Sequence, residues 1–379
     1  MIPFNRPYLT GHEFTHIQEA VAAGQLAGNG RFTKQCQQWL ERRVGAARVL
    51  LTHSCTAALE MAALLIDLEP GDEVIMPSFT FVSTANAFVL RGATPIFVDI
   101  RSDTLNLDEQ QLESAITPRT KAIVVVHYAG VACAMDAIMD IARRHGVVVI
   151  EDAAHALMAR YKGKALGSFG QLAAFSFHET KNLISGEGGA LVINDSRFVE
   201  RAEIIWEKGT NRSQFSSGRV DKYTWMDVGS SFLPGELTAA FLWAQLEHAD
   251  QITSMRLELW NRYRQAATSL EALGLRGPVV PPDCDHNAHL FYLLVPLPAH
   301  RNEILSDLNA RGVNAVFHYV PLHSSPAGQR HGRASGTMSV TDDCSARLIR
   351  LPLWVGMGSE VPELVVERIR ESVAAVSPR

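Results

Sequence analysis

Between residues 49 and 194 the sequence alternates short, almost wholly apolar runs with segments of helical periodicity. Residues 121–127 (KAIVVVH) and 147–152 (VVVIED) are two such runs, and they enclose a helical pattern over Met135–His145 that ends at Gly146. Strands that are apolar on both faces are typical of parallel sheets with helices on either side. The alternation therefore predicts an α/β fold around a mostly parallel sheet, whose ligands bind beyond the carboxyl ends of the strands.

Helical and strand patterns can be followed along the rest of the chain. Helices are predicted over residues 13–23, 55–68, 80–91, 135–145, 302–311 and 342–350, with a long helical stretch over 236–273. Strands are predicted over residues 73–76, 94–100, 121–127, 147–152, 172–178, 190–194, 290–295 and 315–319. A chain of 379 residues is long enough for two domains, and Gly and Pro cluster between residues 274 and 282. We therefore predict a large domain over residues 1–250 and a smaller C-terminal α+β domain over residues 251–379.

The composition argues against several classes of protein. The net charge is −5 with no block of Lys and Arg, so a nucleic-acid-binding surface is not indicated. The longest apolar run, residues 122–135, is shorter than the ~20 residues that a membrane span needs. The five cysteines are scattered without a CxxC pair, which indicates neither a disulfide framework nor a zinc knuckle. The first residues, MIPFNRP, do not resemble a secretory signal, so we expect a cytoplasmic protein.

Two motifs invite other interpretations. Residues 12–16 (HEFTH) match HExxH, in which two histidines on one helical face hold the zinc ion of a peptidase. No metzincin extension follows, so we interpret residues 13–23 as a surface helix and predict no metal site. Residues 186–189 (GEGG) precede a strand, and the chain contains no GxxxxGK[ST]. This run therefore indicates neither a P-loop nor a dinucleotide site, and its glycines would give the backbone freedom beside a ligand.

Four short features contain residue types that could carry chemistry. The turn at residues 54–57 (SCTA) leads into a helix, where free N–H groups suit either a phosphate or a simple N-cap. Asp152 ends an apolar strand and needs a partner there, such as a protonated ring nitrogen or an arginine. Lys181 follows a later strand and could form a Schiff base, although most lysines are solvated surface charges. Together with the aromatic run 77–81 (PSFTF), these features describe a pyridoxal phosphate site.

The order of the segments SCTAALEMAAL, PSFTFVSTANAF, EDAAHA, FSFHETKN and GEGGALV resembles the DegT/StrS group of sugar-nucleotide aminotransferases, which are fold-type I pyridoxal phosphate enzymes. The likeness covers nearly the whole chain. Within the group, the segments MIPFNRP, VHYAGVAC and EKGTNRSQF look closest to the dTDP-4-amino-4,6-dideoxygalactose transaminases of enterobacterial common antigen synthesis. The resemblance implies an aspartate aminotransferase-like fold and a homodimer with its active sites between the subunits. It implies neither a nucleic-acid nor a membrane partner.

The resemblance also implies roles for individual residues. Lys181 would be the lysine that binds the cofactor covalently, and Asp152 would keep the pyridinium nitrogen protonated. His155 would face the phenolic oxygen of the cofactor, and Phe81 would stack on its ring. The residues that would contact the phosphate are Cys55, Thr56 and Ser176.

One segment departs from the pattern of the group. Many relatives carry a GYNYR segment whose Asn reaches the phosphate bound by the neighbouring subunit. Here the segment is GSSFL, so that Ser231 stands in the Asn position and Leu233 in the Arg position. The contact between subunits would then be made by the shorter serine, or be absent. Candidate substrate-binding residues lie in or beside the GTNRS segment and in the FHYVPLH segment: Lys208, Asn211, Arg212, His318, Tyr319 and His323.

The implied reaction transfers an amino group from L-glutamate to dTDP-4-dehydro-6-deoxy-D-glucose, giving dTDP-4-amino-4,6-dideoxy-D-galactose and 2-oxoglutarate. Another keto nucleotide sugar, with a 4-amino gluco product or a 3-keto group, would use the same cofactor residues. A sugar 3-dehydratase on this fold would carry His in place of Lys181, and a non-catalytic relative would be expected to lose Lys181 or Asp152. The HExxH zinc peptidase is the alternative with a different chemistry.

Overall fold

The computed structural model describes residues 1–376. Its α-helices are α1 (Glu13–Ala22), α2 (Arg31–Val44), α3 (Cys55–Leu65), α4 (Val82–Val89), α5 (Leu112–Ala115), α6 (Met135–His145), α7 (Val199–Trp206), α8 (Arg212–Ser216), α9 (Glu236–Glu247), α10 (Ala249–Ala267), α11 (Arg301–Ala310), α12 (Pro326–His331), α13 (Ser339–Arg347) and α14 (Val361–Val376). Its strands are β1 (Arg48–Thr52), β2 (Glu73–Pro77), β3 (Thr94–Val98), β4 (Thr120–Val126), β5 (Val148–Asp152), β6 (Arg160–Tyr161), β7 (Lys164–Ala165), β8 (Leu172–Ser176), β9 (Gly189–Ile193), β10 (Cys284–Asp285), β11 (Phe291–Leu294), β12 (Arg333–Ala334) and β13 (Leu348–Leu351). None of the helices within residues 1–376 has both the length and the apolar character needed to cross a bilayer.

Within the described residues the main sheet has eight strands in the order β1-β9-β8-β5-β4-β2-β3-β12. The neighbouring pairs from β8 to β12 are parallel, whereas β9 is antiparallel to both β1 and β8. All of these strands except β9 therefore point the same way, and their carboxyl ends meet at one edge. The predicted α/β fold with a mostly parallel sheet is confirmed.

Successive side chains of the central strands enter different cores, because they point to opposite faces of the sheet. Val124 of β4 and Ile150 of β5 pack in one core with helices α3, α4 and α7. Val125 and Val149, the neighbours of these residues, pack on the other face against α6. Since both faces are covered, the strands contain almost only apolar residues. This is the physical origin of the apolar runs in the sequence.

The C-terminal part of the chain forms a separate core around the antiparallel pair of β11 and β13. Helices α10, α11 and α14 contribute to this core. The predicted boundary between residues 250 and 251 falls in the first turn of α10. Ile252 of this helix packs into a core of the main sheet, and Trp260 packs into the C-terminal core. Helix α10 therefore connects the two parts, and the division into domains stays a prediction.

The long predicted helix is interrupted, and the last predicted helix gives way to a strand. The stretch 236–273 is interrupted at His248, whose backbone (φ −108°, ψ 14°) separates α9 from α10, and a 3₁₀ turn follows over Thr268–Leu273. The helix predicted over residues 342–350 ends at Arg347 and is followed by strand β13. The alternation of buried residues in β13 between two cores is typical of a strand, and it competes there with the helical pattern.

The strand predicted over residues 315–319 is not formed. This segment pairs through a single bridge between Val316 and Arg350. Tyr319 at its end has a φ of 36°, a left-handed conformation that is incompatible with a regular strand. The chain therefore turns at Tyr319, and residues 318–319 lie beside the carboxyl edge of the main sheet.

Candidate active site

A cavity of about 430 Å³ lies between the carboxyl edge of the main sheet and the C-terminal part of the chain. Its position agrees with the rule that open α/β sheets bind ligands beyond the carboxyl ends of their strands. Most of the residues predicted from the sequence to bind cofactor or substrate meet here. These are Cys55, Thr56, Phe81, Asp152, His155, Ser176, Lys181, His318 and Tyr319.

Lys181 is placed by the turn that follows β8. Its backbone N–H donates to the carbonyl oxygen of His178 at 2.9 Å, which turns the chain back over the end of the sheet. Burial lowers the pKa of Lys181 to about 8; the charges of Cys55 and Asp152 oppose this effect. The shift brings the neutral, nucleophilic amine within reach of neutral pH.

Asp152 is buried at the end of β5. Its Oδ2 accepts a hydrogen bond from Thr84 Oγ1 at 2.7 Å, and its Oδ1 accepts one from the N–H of Ala154 at 3.2 Å. The hydroxyl of Thr84 donates its hydrogen to Asp152. The hydroxyl of Thr80, whose Oγ1 lies 2.8 Å from Thr84 Oγ1, therefore donates to Thr84. Burial raises the pKa of Asp152, while these hydrogen bonds lower it. A protonated ring nitrogen in the cavity would stabilise the buried carboxylate.

The amino end of α3 supplies the donors that suit a phosphate. Ser54 is the N-cap, and its Oγ accepts a backbone N–H three residues further on at 3.1 Å. The N–H groups of Cys55 and Thr56, in the first turn of the helix, have no intrahelical acceptor. They line the cavity together with Ser176 at the end of β8. The N-cap and the phosphate interpretations of this turn are therefore compatible.

Gly189 allows β9 to approach this turn. A Cβ at Gly189 would lie 2.4 Å from the backbone nitrogen of Cys55 and 2.4 Å from the carbonyl carbon of Ser54. No side chain fits in this space, so the glycine is required by the close approach of two backbones. The glycine-rich run thus shapes the phosphate end of the cavity.

His155 lies three residues after Asp152 on the floor of the cavity. Its Nδ1 accepts the N–H of Ala129 at 3.4 Å, which places the proton on Nε2. Nε2 faces the hydroxyl of Tyr319 at 3.4 Å. The ring stacks on that of His289, with 4.0 Å between the centroids. Burial lowers the pKa of both imidazoles, so both are neutral near pH 7 and His155 presents one N–H donor.

The remaining walls of the cavity are aromatic. Phe81 precedes α4 in an extended conformation and is 57% exposed, so that one face of its ring is free to lie against a planar ligand. On the C-terminal side, the rings of His318 and Tyr319 stack with 3.6 Å between their centroids. His318 Nδ1 is 2.8 Å from the hydroxyl of Tyr128, which holds this wall against the main sheet.

Other predicted residues lie outside this cavity within one chain. They are Lys208, Asn211, Arg212, Ser231 and His323. Ser231 is exposed and forms a bridge with Glu207, and Asn211 is buried beneath the loop that follows it. His323 binds Ser78 Oγ through Nδ1 at 2.7 Å. The roles of these residues stay predictions, and the role of Ser231 requires a second subunit.

Several residues in the cavity or in contact with its lining were not predicted from the sequence. Thr84 supports Asp152, and its position four residues after Thr80 in a helical pattern was the available signal. His289 is fixed by Asn182, whose Oδ1 accepts from His289 Nδ1 at 3.0 Å. Arg350 reaches the cavity from β13, where a helix had been predicted. No sequence pattern indicated that the last two side chains would face the cavity.

The HExxH motif has a structural role. The carboxylate of Glu13 accepts hydrogen bonds from the N–H groups of Thr10 and Gly11 and from Gln245 Nε2 at 2.7 to 3.0 Å. These bonds secure the start of α1. His16 Nε2 pairs with Glu247 at 2.8 Å. In the part of the chain that the structure describes, no group of three or more His, Cys, Asp and Glu side chains is arranged to hold a metal ion.

The cavity fits pyridoxal phosphate in three respects. The N–H groups at the start of α3 match the phosphate, and the buried carboxylate of Asp152 matches a protonated pyridine nitrogen. Lys181, with its lowered pKa, matches the aldehyde. These groups come from different strands of one sheet edge, and a single planar ligand would contact all of them.

Comparison with known proteins agrees with this geometry. Residues 7–370 match the DegT/DnrJ/EryC1/StrS aminotransferase family. The spore coat polysaccharide biosynthesis protein SpsC of Bacillus subtilis is 35% identical over 380 residues, which cover 98% of this chain and 97% of that protein. A GDP-perosamine synthase of Caulobacter vibrioides is 33% identical over 358 residues, covering 93% of this chain and 92% of that protein.

Solved structures show the same fold. DesV of S. venezuelae superposes with a TM-score of 0.90 at 31% identity, with 99% of each chain covered. The family match over almost the whole sequence and the likeness to DesV confirm the predicted fold and enzyme class. The chain therefore belongs to the DegT/DnrJ/EryC1/StrS aminotransferase family.

Proposed function

We propose that the protein uses pyridoxal phosphate to transfer the amino group of L-glutamate to C4 of dTDP-4-dehydro-6-deoxy-D-glucose. The products are dTDP-4-amino-4,6-dideoxy-D-galactose and 2-oxoglutarate. The amino nitrogen moves from the α-carbon of glutamate, which becomes a ketone, to the ketone carbon of the sugar. Glutamate is oxidised to 2-oxoglutarate and the sugar ketone is reduced to an amine, so the reaction balances without a further oxidant or reductant.

The observation that carries this proposal is the placement of Lys181 and Asp152 in one cavity. Lys181 has a lowered pKa and lies beside the buried carboxylate at the end of β5. The amino end of α3 lies in the same cavity. A cofactor-dependent transfer of an amine needs a nucleophilic lysine, a group for the ring nitrogen and a site for the phosphate.

When bound, pyridoxal phosphate supplies an aldehyde for imine formation and a ring that accepts electrons. The N–H groups of Cys55 and Thr56 would hold the phosphate, and Asp152 would hold the proton on the ring nitrogen. The Nε2–H of His155 would donate to the phenolic oxygen. The free amine of Lys181 would remove a proton from the α-carbon of the donor and would return it to the carbon that carries the aldehyde of the cofactor.

The sugar is supported by two kinds of similarity. The segments MIPFNRP, VHYAGVAC and EKGTNRSQF resemble the transaminases that make dTDP-4-amino-4,6-dideoxygalactose. Two relatives are described as a polysaccharide biosynthesis protein and a GDP-perosamine synthase. Both descriptions favour a nucleotide sugar as the amine acceptor.

We further propose that the protein acts as a homodimer with residues 1–250 as the cofactor domain. Lys208, Arg212 and Ser231 lie outside the cavity of their own chain, as expected if they serve the site of a second subunit. In the site of the second subunit, Arg212 and Lys208 would bind the diphosphate of the sugar nucleotide. Sedimentation should then give about twice the chain mass of 41.6 kDa.

Product NMR tests the proposed reaction. The purified protein is incubated with L-glutamate and dTDP-4-dehydro-6-deoxy-D-glucose, and the configuration at C4 is read from the proton couplings. An axial amine supports the galacto product. An equatorial amine would assign the protein to another subgroup, and no turnover with this sugar would reject the proposed acceptor.

A further inference from the structure

Residues 287–289 form a short segment before β11 that is buried throughout. Arg256 of α10 fixes its backbone, because the guanidinium donates to two carbonyl oxygens of the segment at 3.1 and 2.7 Å. Asn287 Nδ2 in turn donates to the carbonyl oxygen of His155 at 2.7 Å. The segment therefore joins the connecting helix α10 to a residue on the floor of the cavity.

The proton of the His289 ring is placed by Asn182, the residue that follows Lys181. Asn182 Nδ2 donates to the carbonyl oxygen of Asn287 at 2.8 Å. A carbonyl oxygen can only accept, so this bond fixes the orientation of the amide and turns its Oδ1 towards His289. His289 Nδ1 lies 3.0 Å from that oxygen and therefore carries the proton. The ring of His289 is thus held in one tautomer and one orientation.

The ring of His155 is held less firmly by its own hydrogen bonds. Its Nδ1 lies 3.4 Å from the nitrogen of Ala129 and its Nε2 lies 3.4 Å from the hydroxyl of Tyr319, and both distances are long for hydrogen bonds. Its face, by contrast, lies against the ring of His289, with 4.0 Å between the centroids and 25° between the planes. Removal of the second ring would leave space in which His155 could turn. The stack is therefore the contact that fixes the direction of the His155 N–H.

The surroundings keep both imidazoles neutral. Burial lowers the pKa of each ring, and nearby positive charges lower it further. The charged and titratable groups that face the two rings or act on their pKa are Lys181, Arg256, Arg350, Tyr128, His318 and Tyr319. None of these groups is a carboxylate, so neither ring gains from them a partner that would favour its charged form. His155 therefore keeps a single N–H, at Nε2.

We propose that His289 is a positioning residue whose stacked ring keeps the Nε2–H of His155 directed at the phenolic oxygen of pyridoxal phosphate. The proposal rests on the roles proposed above for His155 and Lys181, and it does not depend on the identity of the sugar. A donor to the phenolic oxygen stabilises negative charge there. The proton that this oxygen shares with the nitrogen of Lys181 is then lost at a lower pH, and its loss changes the visible absorption of the bound cofactor.

Two variants separate the stack from the hydrogen bond of His289. His289→Ala removes both contacts, whereas His289→Phe keeps an aromatic ring against His155 but cannot donate to Asn182. His286→Ala is the matched control. His286 lies three residues earlier, accepts the N–H of Ala288 at 3.2 Å and does not line the cavity. This control disturbs the same segment from outside the cavity.

The test titrates the visible absorption of each holoenzyme with pH in the absence of substrates. For His289→Ala we expect the midpoint to rise by about 0.5 to 1 pH unit, because the donor to the phenolic oxygen is no longer held in place. His289→Phe should stay within about 0.3 pH unit of the wild type. His286→Ala should match the wild type even if its thermal stability is lower.

Nitrogen NMR of the wild-type holoenzyme, labelled with ¹⁵N in its histidines, is a second measurement that does not depend on the stability of His289→Ala. The two signals are assigned by their loss in His155→Gln and His289→Phe. At pH 7 we expect the proton of His155 on Nε2 alone and the proton of His289 on Nδ1 alone.

An unchanged midpoint in His289→Ala would overturn the inference. An equal rise in His286→Ala would also overturn it, because the effect would then come from a general loosening of the segment. An equal rise in His289→Phe would assign the effect to the hydrogen bond with Asn182 and reject the role of the stack. A proton on Nε2 of His289 in the wild type would contradict the arrangement directly.

Failure of the proposed function would be recognised separately. In that case L-glutamate leaves the absorption of the wild type unchanged, whereas the pH titration requires only that the cofactor is bound.

Discussion

The two sides of the cavity are built in different ways. The cofactor side consists of the ends of β5 and β8 and the start of α3, which belong to one sheet edge with covered faces. The C-terminal side consists of His318 and Tyr319 in an irregular segment and of Arg350 in a two-stranded sheet. The first side follows from general rules for parallel sheets. The arrangement of the second side depends on local backbone conformations, and no comparable rule predicts these from the sequence.

This difference suggests a division of labour. Groups that would hold the cofactor lie at the carboxyl edge of the main sheet. Groups that we propose to contact the exchanging substrates lie on the part of the chain that meets this edge from the other side. Variants on the cofactor side should therefore alter absorption and rate, and variants on the C-terminal side should mainly alter substrate affinity.

The largest effect is expected for Lys181→Ala on the cofactor side. Loss of the amine removes both covalent attachment and proton transfer, so turnover should fall by about 10⁴-fold or more. The visible absorption of bound cofactor should change at the same time. The measurement is the formation of 2-oxoglutarate from L-glutamate. Lys162→Ala, which removes a surface lysine paired with Asp136, serves as the control and should retain full activity.

A smaller loss is expected for Asp152→Asn, because the amide cannot stabilise a protonated ring nitrogen. We expect a rate decrease of about 10²- to 10³-fold with the cofactor still bound. Thr84→Val removes the hydrogen bond to Oδ2 and should cost about tenfold. Single-turnover rates with L-glutamate measure both effects. Wild-type rates in Asp152→Asn would contradict the assigned contact with the ring.

The pH dependence of cofactor uptake tests the environment of Lys181. Because burial lowers its pKa to about 8, the neutral amine increases as the pH rises towards 8. The rate at which the apoprotein acquires visible absorption should rise about tenfold per pH unit below 8 and level off above it. A rate that continues to rise to about pH 10 would indicate an ordinary solvated lysine.

The smallest effect is expected for Tyr319→Phe on the C-terminal side. The hydroxyl lies 3.4 Å from His155 Nε2, at the long end of hydrogen-bond distances. Removal of the Tyr319 hydroxyl should change the KM of either substrate by less than about tenfold and leave the absorption of the cofactor unchanged. A large change in absorption would show that the two sides of the cavity are not separable.

The same contrast explains what the sequence alone could predict. The pattern of apolar strands predicted that Asp152 and Lys181 lie at one sheet edge, and the motifs indicated the family and its cofactor. The fold, the family and pyridoxal phosphate are confirmed. The reversed direction of β9 was not predicted. A connection of 12 residues without an α-helix joins β8 to it, whereas a parallel return needs a crossover, usually a helix.

Arg350 was missed for a related reason. The residues before it have a helical pattern that overlaps with the short strand β13, so that its side-chain direction could not be derived from periodicity. Tyr319 was predicted as a site residue, but its left-handed conformation, which is rare outside glycine, was not, because the segment around it resembled a strand. Both residues depend on contacts between parts of the chain that are distant in sequence.

The most direct test of the account is the absorption of the purified protein during stepwise addition of substrates. We predict a visible band from cofactor bound to Lys181 that L-glutamate removes and dTDP-4-dehydro-6-deoxy-D-glucose restores. The band should be missing or shifted in Lys181→Ala at unchanged thermal stability. A protein that shows no such band after incubation with pyridoxal phosphate, or a band that L-glutamate leaves unchanged, would contradict the account.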